Sequence, residues 1–326
     1  MKVAVTDFTF PSLDVEELIL KPTSAVIVSG QCKTTETLIE LVHDADVVMT
    51  QFATINAKVV AAMQRARVIV RYGIGVDNVD LDAARERGIP VCNVPDYCID
   101  EVADHTLAFI LAATRQVVIN CVQVRSGVWG LAVPLAEMRT LRDLTVGLVG
   151  FGRIGREVAG RLAPFKCRRL VHDPIAPPAE IWNAGCEPVA LADLLSASDV
   201  ITLHCPSTSQ TRRLLNAESI DRLMPGAIVV NLSRGDLIDT PALIEGLRSG
   251  KVGAAAIDVC DPEPIPPDSP LLTMSNVVVS AHIASTSVKA VRTLRESAAR
   301  IAVLAIQGKA LPNVVNGVRS SSSDSA

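Results

Sequence analysis

The fold is decided by the stretch Thr145-Val146-Gly147-Leu148-Val149-Gly150-Phe151-Gly152-Arg153-Ile154-Gly155-Arg156. Its first half is a short apolar run typical of a buried strand, and its second half opens a helical pattern that continues through Phe165. Gly150 permits the tight turn, Gly152 lets the backbone approach a pyrophosphate, and Gly155 lets the helix pack closely on its strand. This strand, turn and helix predict a Rossmann-type dinucleotide-binding unit.

The same stretch favours NAD as the dinucleotide. The free N–H groups at the start of the helix, at Arg153 and Ile154, would bind its phosphates, because the helix dipole favours negative charge there. A second predicted strand ends in Asp173, close to the ~20-residue spacing at which an acid binds the adenosine ribose hydroxyls. A carboxylate there repels a 2′-phosphate, so we predict NAD rather than NADP. Arg168 and Arg169 come before Asp173, and we interpret them as surface charges.

Short apolar runs alternate with helical patterns along most of the chain. The predicted strands are Lys2–Thr6, Ala25–Ser29, Val47–Thr50, Val68–Tyr72, Pro90–Asn93, Thr145–Gly150, Arg169–Asp173, Val200–Cys205, Ala227–Leu232, Ala254–Val259 and Val277–Ile283. Helical patterns such as Thr35–Val42, Asn56–Met63, Leu81–Arg87 and a long one from Glu101 to about Val124 lie between them. The alternation predicts an α/β protein with two parallel-sheet domains.

Two local signals refine this picture. Thr240 is predicted to cap a helix whose first residue is Pro241, and Gly250 to close it. The serine-rich tail, Arg319 to Ala326, is predicted to be disordered.

Composition excludes several classes of function. The 326 residues carry 31 Lys and Arg against 35 Asp and Glu, with few aromatics, so we expect no nucleic-acid partner. No apolar run reaches the ~18–20 residues of a membrane span, and Thr106–Ala113 reads as a buried helix. The eight cysteines lie far apart without metal-ligand spacing, so we expect free thiols and no metal site. Because Met1–Val5 passes straight into strand-like alternation, without a leader pattern, we expect the cytoplasm.

Three ionisable residues lie at the ends of successive predicted strands of the second series or just after them. They are Arg234, Glu263 and His282. An arginine fork binds a carboxylate in bidentate fashion and polarises an adjacent carbonyl, and a histidine exchanges a proton near neutral pH. A carboxylate on the other ring nitrogen would fix its tautomer. Taken singly, Arg234 reads equally well as a surface loop residue, Glu263 as a solvated acid and His282 as a cap or core residue; together they predict a site for a small 2-keto or 2-hydroxy acid.

Over nearly its whole length, up to about Asn316, the sequence resembles the D-isomer-specific 2-hydroxyacid dehydrogenase family. The resemblance is carried by Arg71–Asp80, Glu101–Thr106, the glycine turn, Asn231–Gly235, Asp258–Pro264 and His282. Within the family, Tyr72–Asn78 and Asn93–Cys98 look closest to phosphoglycerate dehydrogenases and to bacterial relatives of the C-terminal binding protein.

The resemblance implies roles for individual residues. Arg234, Glu263 and His282 match the substrate arginine, the relay acid and the acid/base histidine. The substrate-binding set would be Tyr72, Gly73, Ile74, Gly75, Arg234 and His282, with Ile74 and Gly75 offering backbone N–H groups to the carboxylate. To the cofactor-binding set it adds Cys205, Pro206 and Thr211 beside the adenosine, Leu232 and Ser233 next to the arginine, and Asp258, which orients the nicotinamide carboxamide.

The resemblance also implies the architecture. Residues 1–98 and 287–326 would form a flavodoxin-like substrate domain, and residues 99–286 an inserted Rossmann domain. Members usually form homodimers through the cofactor domain, with the Val128-Trp129 loop expected to reach across. The expected activity is hydride transfer between NAD and carbon 2 of an acid of the 3-phosphoglycerate, hydroxypyruvate or glyoxylate type; the alternative is an NAD(H)-sensing scaffold like the family's corepressors.

Three further features bear on the site. Ala284 and Ser285 follow the histidine where many members have two glycines, so the choice of acid stays open. His105 is interpreted as a structural hinge residue with Asp104 as its partner. The cysteines, including Cys98, are interpreted as packed thiols, because no histidine or lysine accompanies them.

Overall fold

Two α/β units make up the chain in a computed structural model that describes residues 1–318. The first unit contains Met1–Tyr97 and the segment from Ser287 onward, and the second contains Cys98–Thr286. The predicted disordered tail from Arg319 lies outside the described residues. Both units are α/β, as the alternation of the sequence predicts.

The first unit is a five-stranded parallel sheet with helices on both faces. Its strands are β1 (Lys2–Val5), β2 (Val26–Ser29), β3 (Val47–Thr50), β4 (Val68–Arg71) and β5 (Val91–Cys92). Its helices are α1 (Asp14–Leu20), α2 (Thr35–Val42), α3 (Ala57–Ala62), α4 (Leu81–Glu86) and, from the far end of the chain, α12 (Val288–Ile306). The strand order β2-β1-β3-β4-β5 is that of the flavodoxin-like fold, which confirms the prediction.

Burial explains why these strands read as continuous apolar runs. Every residue of β3 and β4 is buried, because helices cover both faces of a parallel sheet. On one face Leu294 and Ile301 of α12 pack with Val3. On the other face α2 and α3 pack around Val48.

A buried ion pair joins the two ends of the chain in this unit. Arg295 of α12 donates to both carboxylate oxygens of Glu16 in α1, with Nη2 2.6 Å from Oε2. The Glu16 side chain is 0% exposed and that of Arg295 is 8% exposed. The guanidinium also lies 4.9 Å from the ring centre of Phe10, and Tyr72 donates its hydroxyl to Glu16 at 3.3 Å. A pair this deeply buried stabilises the fold only while both partners are present.

The second unit is a seven-stranded parallel sheet. Its strands are β6 (Thr145–Val149), β7 (Arg168–His172), β8 (Glu187–Pro188), β9 (Val200–Leu203), β10 (Ala227–Asn231), β11 (Val252–Ile257) and β12 (Val277–Val279). Its helices are α5 (Ile99–Thr114), α6 (Val117–Arg125), α7 (Arg153–Leu162), α8 (Pro178–Asn183), α9 (Leu191–Ala197), α10 (Ala217–Asp221) and α11 (Thr240–Ser249).

The strand order of this unit is β12-β11-β10-β9-β6-β7-β8. Counted within the unit, this is the 3-2-1-4-5-6 order of a Rossmann fold with one further strand at the edge. The order reverses between β6 and β9, which pair directly. Ligands of open α/β sheets bind at the carboxyl ends of the strands at such a reversal, and the glycine turn follows β6.

The structure corrects several boundaries. The long helical pattern from Glu101 divides into α5 and α6, which meet at 63° because Gln116 between them has a left-handed backbone with φ of 53°. The cap of α11 is Asp239, whose side chain accepts from the N–H of Ala242, so Thr240 is the first helical residue and the predicted cap was wrong by one position. Gly250 closes α11 in the left-handed conformation, as predicted. The short edge strand β8 was not predicted.

No single helix among the described residues is long and apolar enough to cross a membrane. Among these residues, only α5 and α6 taken together, as a bent pair, reach the length and apolar composition of a membrane span. Helix α6 has no buried residue. Val118, Val122 and Val124 of this helix are exposed, and Trp129 in the loop after it is 91% exposed.

Candidate active site

The glycine turn after β6 has the geometry that its sequence predicts. Gly150 has φ of 102°, and a Cβ there would lie 2.7 Å from the backbone N of Cys205. A Cβ on Gly155 would lie 2.2 Å from the carbonyl oxygen of Gly150, so only glycine lets α7 start this close to its strand. A Cβ on Gly152 would meet nothing within 4 Å, so the turn leaves open space in front of the first N–H groups of α7.

Asp173 lies just past the end of β7 and is tied to the turn. Its carboxylate accepts from the backbone N–H of Phe151 at 2.6 Å and from those of Ile175 and Ala176 at 2.7 and 2.8 Å. Burial opposes ionisation, yet these three donors outweigh it and lower the pKa of Asp173. The turn therefore carries a fixed negative charge beside it, which disfavours a 2′-phosphate at this position.

The two arginines before Asp173 differ in surroundings. Arg168, the first residue of β7, is exposed and forms two hydrogen bonds with Glu187, as a surface charge does. Arg169 is half-buried and donates to the carbonyl oxygens of Ala159, Ala184 and Gly185. Arg169 is therefore part of the packing of this unit rather than a plain surface charge.

The predicted adenosine-side residues lie on linked loops after β9 and β10. Ser233 donates its hydroxyl to the carbonyl oxygen of Cys205 at 2.6 Å, which joins the two loops. Thr211 donates to the carbonyl oxygen of Pro206 at 2.6 Å and so closes its own loop. Leu232 is buried beside them. The loops stand at the carboxyl ends of β9, which pairs with β6, and of β10, which pairs with β9, so they lie at the same sheet edge as the glycine turn.

Arg234 follows β10 in an extended conformation and donates from Nη1 to the carbonyl oxygen of Ser233 at 2.7 Å. The loop after β11 lies directly against the next residue: a Cβ on Gly235 would stand 2.0 Å from the carbonyl oxygen of Cys260. The same loop carries Glu263 three residues later. The packing of Gly235 on Cys260 thus brings the segments of Arg234 and Glu263 together.

His282 and Glu263 form the pair that the sequence suggests. Nδ1 of His282 lies 2.6 Å from Oε1 of Glu263. The backbone of His282 is left-handed, with φ of 52°, and its N–H donates to the carbonyl oxygen of Asp258 at 2.7 Å. Histidine adopts this conformation more readily than most residues, but it persists only where its surroundings hold it.

Asp258, one residue past β11, provides that hold. It is 2% exposed, and its carboxylate accepts from the N–H groups of Ile283 at 2.9 Å and Ala284 at 2.8 Å, and from the hydroxyl of Ser280. The family resemblance implies that Asp258 orients the nicotinamide carboxamide. The contacts show a second role, because they fix the loop that carries His282.

The predicted substrate loop of the first unit follows β4. Tyr72 is 1% exposed, with its hydroxyl on Glu16, so the prediction that its side chain binds substrate was wrong: it packs in the core of the unit. Gly73 has φ of 143°, and its carbonyl oxygen accepts from Val94. Asn93 donates to the carbonyl oxygen of Ile74 at 2.6 Å. Within residues 1–318, the N–H groups of Ile74 and Gly75 donate no hydrogen bond to the protein.

The partner predicted for His105 was wrong, and a second histidine of this unit is buried. Asp104 does not contact His105 as predicted but pairs with Arg161 at 2.8 Å, because the two residues point to different sides of α5. His105 instead lies against Phe109 and Ser280. His204, for which the sequence suggested no role, lies behind the glycine turn, where burial lowers its pKa to about 4.

Five of the eight cysteines are buried, as expected of packed thiols, whereas Cys121 of α6 is exposed and departs from that prediction. None of the eight forms a disulfide in residues 1–318, and burial raises the pKa of Cys92 to about 12 and that of Cys205 to about 11. Such thiols are neutral and poorly nucleophilic near neutral pH, as predicted.

The second unit fits NAD. The open space at Gly152 faces the start of α7, where the phosphates would bind, and Asp173 stands where the ribose hydroxyls would lie. The fold and these residues define a dinucleotide-binding protein with a histidine and carboxylate pair on the same unit.

Comparison with known proteins agrees. Residues 107–284 match the family model "D-isomer specific 2-hydroxyacid dehydrogenase, NAD binding domain". A D-3-phosphoglycerate dehydrogenase of Mycobacterium leprae is 38% identical over 86% of this chain and 52% of its own length. A glyoxylate reductase of Korarchaeum cryptofilum is 37% identical over 86% of this chain and 85% of its own length.

A solved structure is similar as well. The crystal structure of a D-lactate dehydrogenase from Aquifex aeolicus, complexed with NAD and lactic acid, superimposes with a TM-score of 0.85 at 26% identity, over 94% of this chain and 96% of that one. The chain therefore belongs to the D-isomer-specific 2-hydroxyacid dehydrogenase family, and its cofactor is NAD. It spans about half the length of the phosphoglycerate dehydrogenases it matches.

Proposed function

We propose that the protein is an NAD-dependent D-2-hydroxyacid dehydrogenase acting on a small acid of the 3-phosphoglycerate, hydroxypyruvate or glyoxylate type. The observation that carries the proposal is the 2.6 Å contact between His282 and Glu263 on the unit that fits NAD. Family membership supports the same reaction class. When bound, NAD supplies or accepts the hydride at carbon 2 of the acid.

The protein's own residues handle the proton. Because Nδ1 of His282 is held by Glu263, the proton exchange with the oxygen on carbon 2 falls to Nε2. The Glu263 carboxylate stabilises the charged imidazolium and fixes the ring orientation. In reduction His282 donates this proton, and in oxidation it accepts it.

Other residues bind the acid. Arg234 would bind its carboxylate through the guanidinium fork and polarise the keto oxygen. The N–H groups of Ile74 and Gly75, which donate to no protein acceptor among the described residues, would supply further donors to the carboxylate. Asp258 would orient the nicotinamide carboxamide, and the residues around the glycine turn would bind the rest of NAD.

A substrate screen tests the activity. NADH oxidation is followed at 340 nm with glyoxylate, hydroxypyruvate, 3-phosphohydroxypyruvate and bulkier 2-keto acids, and the chirality of the product is determined. We expect turnover of at least one acid to a D-product, with NADH preferred over NADPH because of Asp173. An L-product, or no turnover of any acid together with tight NADH binding, contradicts the proposal. NADH-dependent capture of a partner protein without turnover would instead support the scaffold function of the family's corepressors.

We further propose that the protein forms a homodimer through its second unit. Val122 of α6 and Trp129 are exposed on one segment that buries nothing in the single chain, and exposed apolar patches of this kind mark protein interfaces. Light scattering after gel filtration should give the dimer mass, and Val122→Glu with Trp129→Ser should shift it to the monomer with unchanged circular dichroism. The exposed leucine Leu18 of α1, changed to Glu, serves as the control.

We place the protein in the cytoplasm. Eight cysteines with no disulfide among them in the described part of the chain are typical of a protein in a reducing compartment. Fractionation of cells that produce the chain tests this placement, and recovery in an oxidising compartment with paired cysteines contradicts it.

A further inference from the structure

We propose that His105 is a positioning residue for the acid/base loop and acts through Ser280 and Asp258. Nε2 of His105 lies 3.4 Å from Oγ of Ser280, and the Ser280 hydroxyl donates to Oδ1 of Asp258. Asp258 in turn holds the backbone on both sides of His282. The inference rests on the proposed function, since it concerns the residue that exchanges the proton.

The loop needs such support because its backbone is strained. His282 has φ of 52°, in the left-handed backbone region that residues other than glycine rarely adopt. The carbonyl oxygen of Asp258 accepts from the N–H of His282, and its carboxylate accepts from the N–H groups of Ile283 and Ala284. Any rotation of the Asp258 carboxylate therefore moves the backbone that carries the imidazole.

The number of protons available fixes which group donates in each hydrogen bond of this chain. A serine hydroxyl has one proton, and Ser280 uses it toward Asp258. Its contact with His105 therefore requires that Nε2 of His105 carries a proton and donates it to Oγ of Ser280. The structure thus assigns the Nε2–H tautomer, or the charged ring, to His105. The chain runs from His105 to Ser280 and then to Asp258.

The imidazole of His105 is itself held in place. It lies one helical turn before Phe109 on α5, and the two rings meet edge to face with centres 4.6 Å apart. Helix α5 packs on β10 and β11, the strands that lead to Arg234 and Asp258. The buried Asp258 carboxylate is thereby tied through Ser280 to a rigid helix rather than only to its own loop.

Four variants separate positioning from packing. His105→Phe keeps the ring contact with Phe109 but removes the donor, and His105→Gln keeps an N–H at a similar reach. Ser280→Ala removes the middle link, and the fourth variant combines Ser280→Ala with His105→Phe. Ser196→Ala, on the exposed side of α9, is the matched serine control.

We expect His105→Phe to lower kcat by roughly 10-fold to 100-fold, as a small misplacement of a reacting group does, with KM and the Kd for NADH within about twofold. His105→Gln should recover most of the loss. Ser280→Ala should resemble His105→Phe, and the double variant should be no worse than Ser280→Ala alone, because the links act in series. A kcat of His105→Phe equal to that of the wild type, or independent effects of the two changes, overturns the inference.

A second readout does not depend on turnover. Histidine ¹⁵N NMR of the wild type, with His105 assigned from His105→Phe, should show the Nε2–H tautomer or the charged ring, and Ser280→Ala should shift that signal. A neutral Nδ1–H tautomer contradicts the chain of hydrogen bonds even if no acid is turned over. Absence of turnover in the wild type, with the Nε2–H signal present, contradicts the proposed function alone.

Discussion

The proposed function assigns the proton exchange to His282, and replacement of this residue gives a direct test. We expect His282→Ala to lower kcat by about 10²-fold to 10⁴-fold, the usual loss for a positioned acid/base group, while NAD affinity is largely kept. Steady-state kinetics together with NADH fluorescence titration measure both quantities. Unchanged turnover in this variant would remove His282 from the assignment.

His204 makes the second unit sensitive to acid. Burial lowers its pKa to about 4 from an ordinary value near 6.5, so the folded protein disfavours the charged ring. Its contribution to stability is fully present above about pH 6.5 and is lost as the pH falls toward 4, by at most about 1.4 kcal/mol per pH unit. His204→Gln, which keeps a polar group near Thr202, should flatten the dependence of Tm on pH over that window. Parallel curves for the two proteins would speak against this.

At the level of elements, the glycine turn gives a matched pair of substitutions within α7. A Cβ on Gly155 would collide with the backbone of Gly150, whereas a Cβ on Gly160 would meet nothing within 4 Å. Gly155→Ala should therefore weaken NADH binding at least 10-fold and destabilise the protein by about 1–3 kcal/mol. Gly160→Ala should be neutral or stabilise by up to about 1 kcal/mol. Calorimetry and NADH titration of both variants measure the contrast, which equal effects would contradict.

Elements with a strong local signal were predictable from the sequence. β3 and α2 have the predicted bounds. A short, almost wholly apolar run indicates a buried strand, and an amphipathic run that begins after a capping residue indicates a helix. The break at Gln116 was not predictable, since nothing in that residue type announces a left-handed backbone. Likewise Asp239 and Thr240 are both good caps, and packing chose the first, because Thr240 donates to the carbonyl oxygen of Asp261.

The candidate site shows the same division. His282 and Glu263 could be paired from the sequence because chemistry restricts which residues suit that role. Tyr72 was misassigned because its neighbours along the chain line the predicted substrate loop, while its side chain packs against Phe10 and donates to Glu16, 56 residues away. Ser280 stood beside His282 in the sequence, but its link to His105 spans 175 residues and needs the fold to be seen.

At the scale of the molecule, removal of one partner of the buried Arg295 and Glu16 pair should strongly destabilise the first unit. Arg295→Met leaves a buried carboxylate with its main cation removed and should cost about 3–5 kcal/mol. Replacing both residues, with Glu16→Leu added, should recover much of the loss. Hydrogen exchange of the β1, β3 and β4 amides measures the unit separately. A double variant as unstable as Arg295→Met would contradict the prediction.

The position of α12 also has a consequence for synthesis of the chain. The part of the chain that is synthesised first contains β1 to β5 and α1. Its Glu16 cannot pair with Arg295 until the whole of Cys98–Thr286 has been translated. At about 5–20 residues per second, that delay is on the order of 10–40 s. During this time the inserted unit can fold alone. The first segment, by contrast, exposes the apolar sheet surface that α12 later covers, so we expect a ribosome-associated chaperone to bind it.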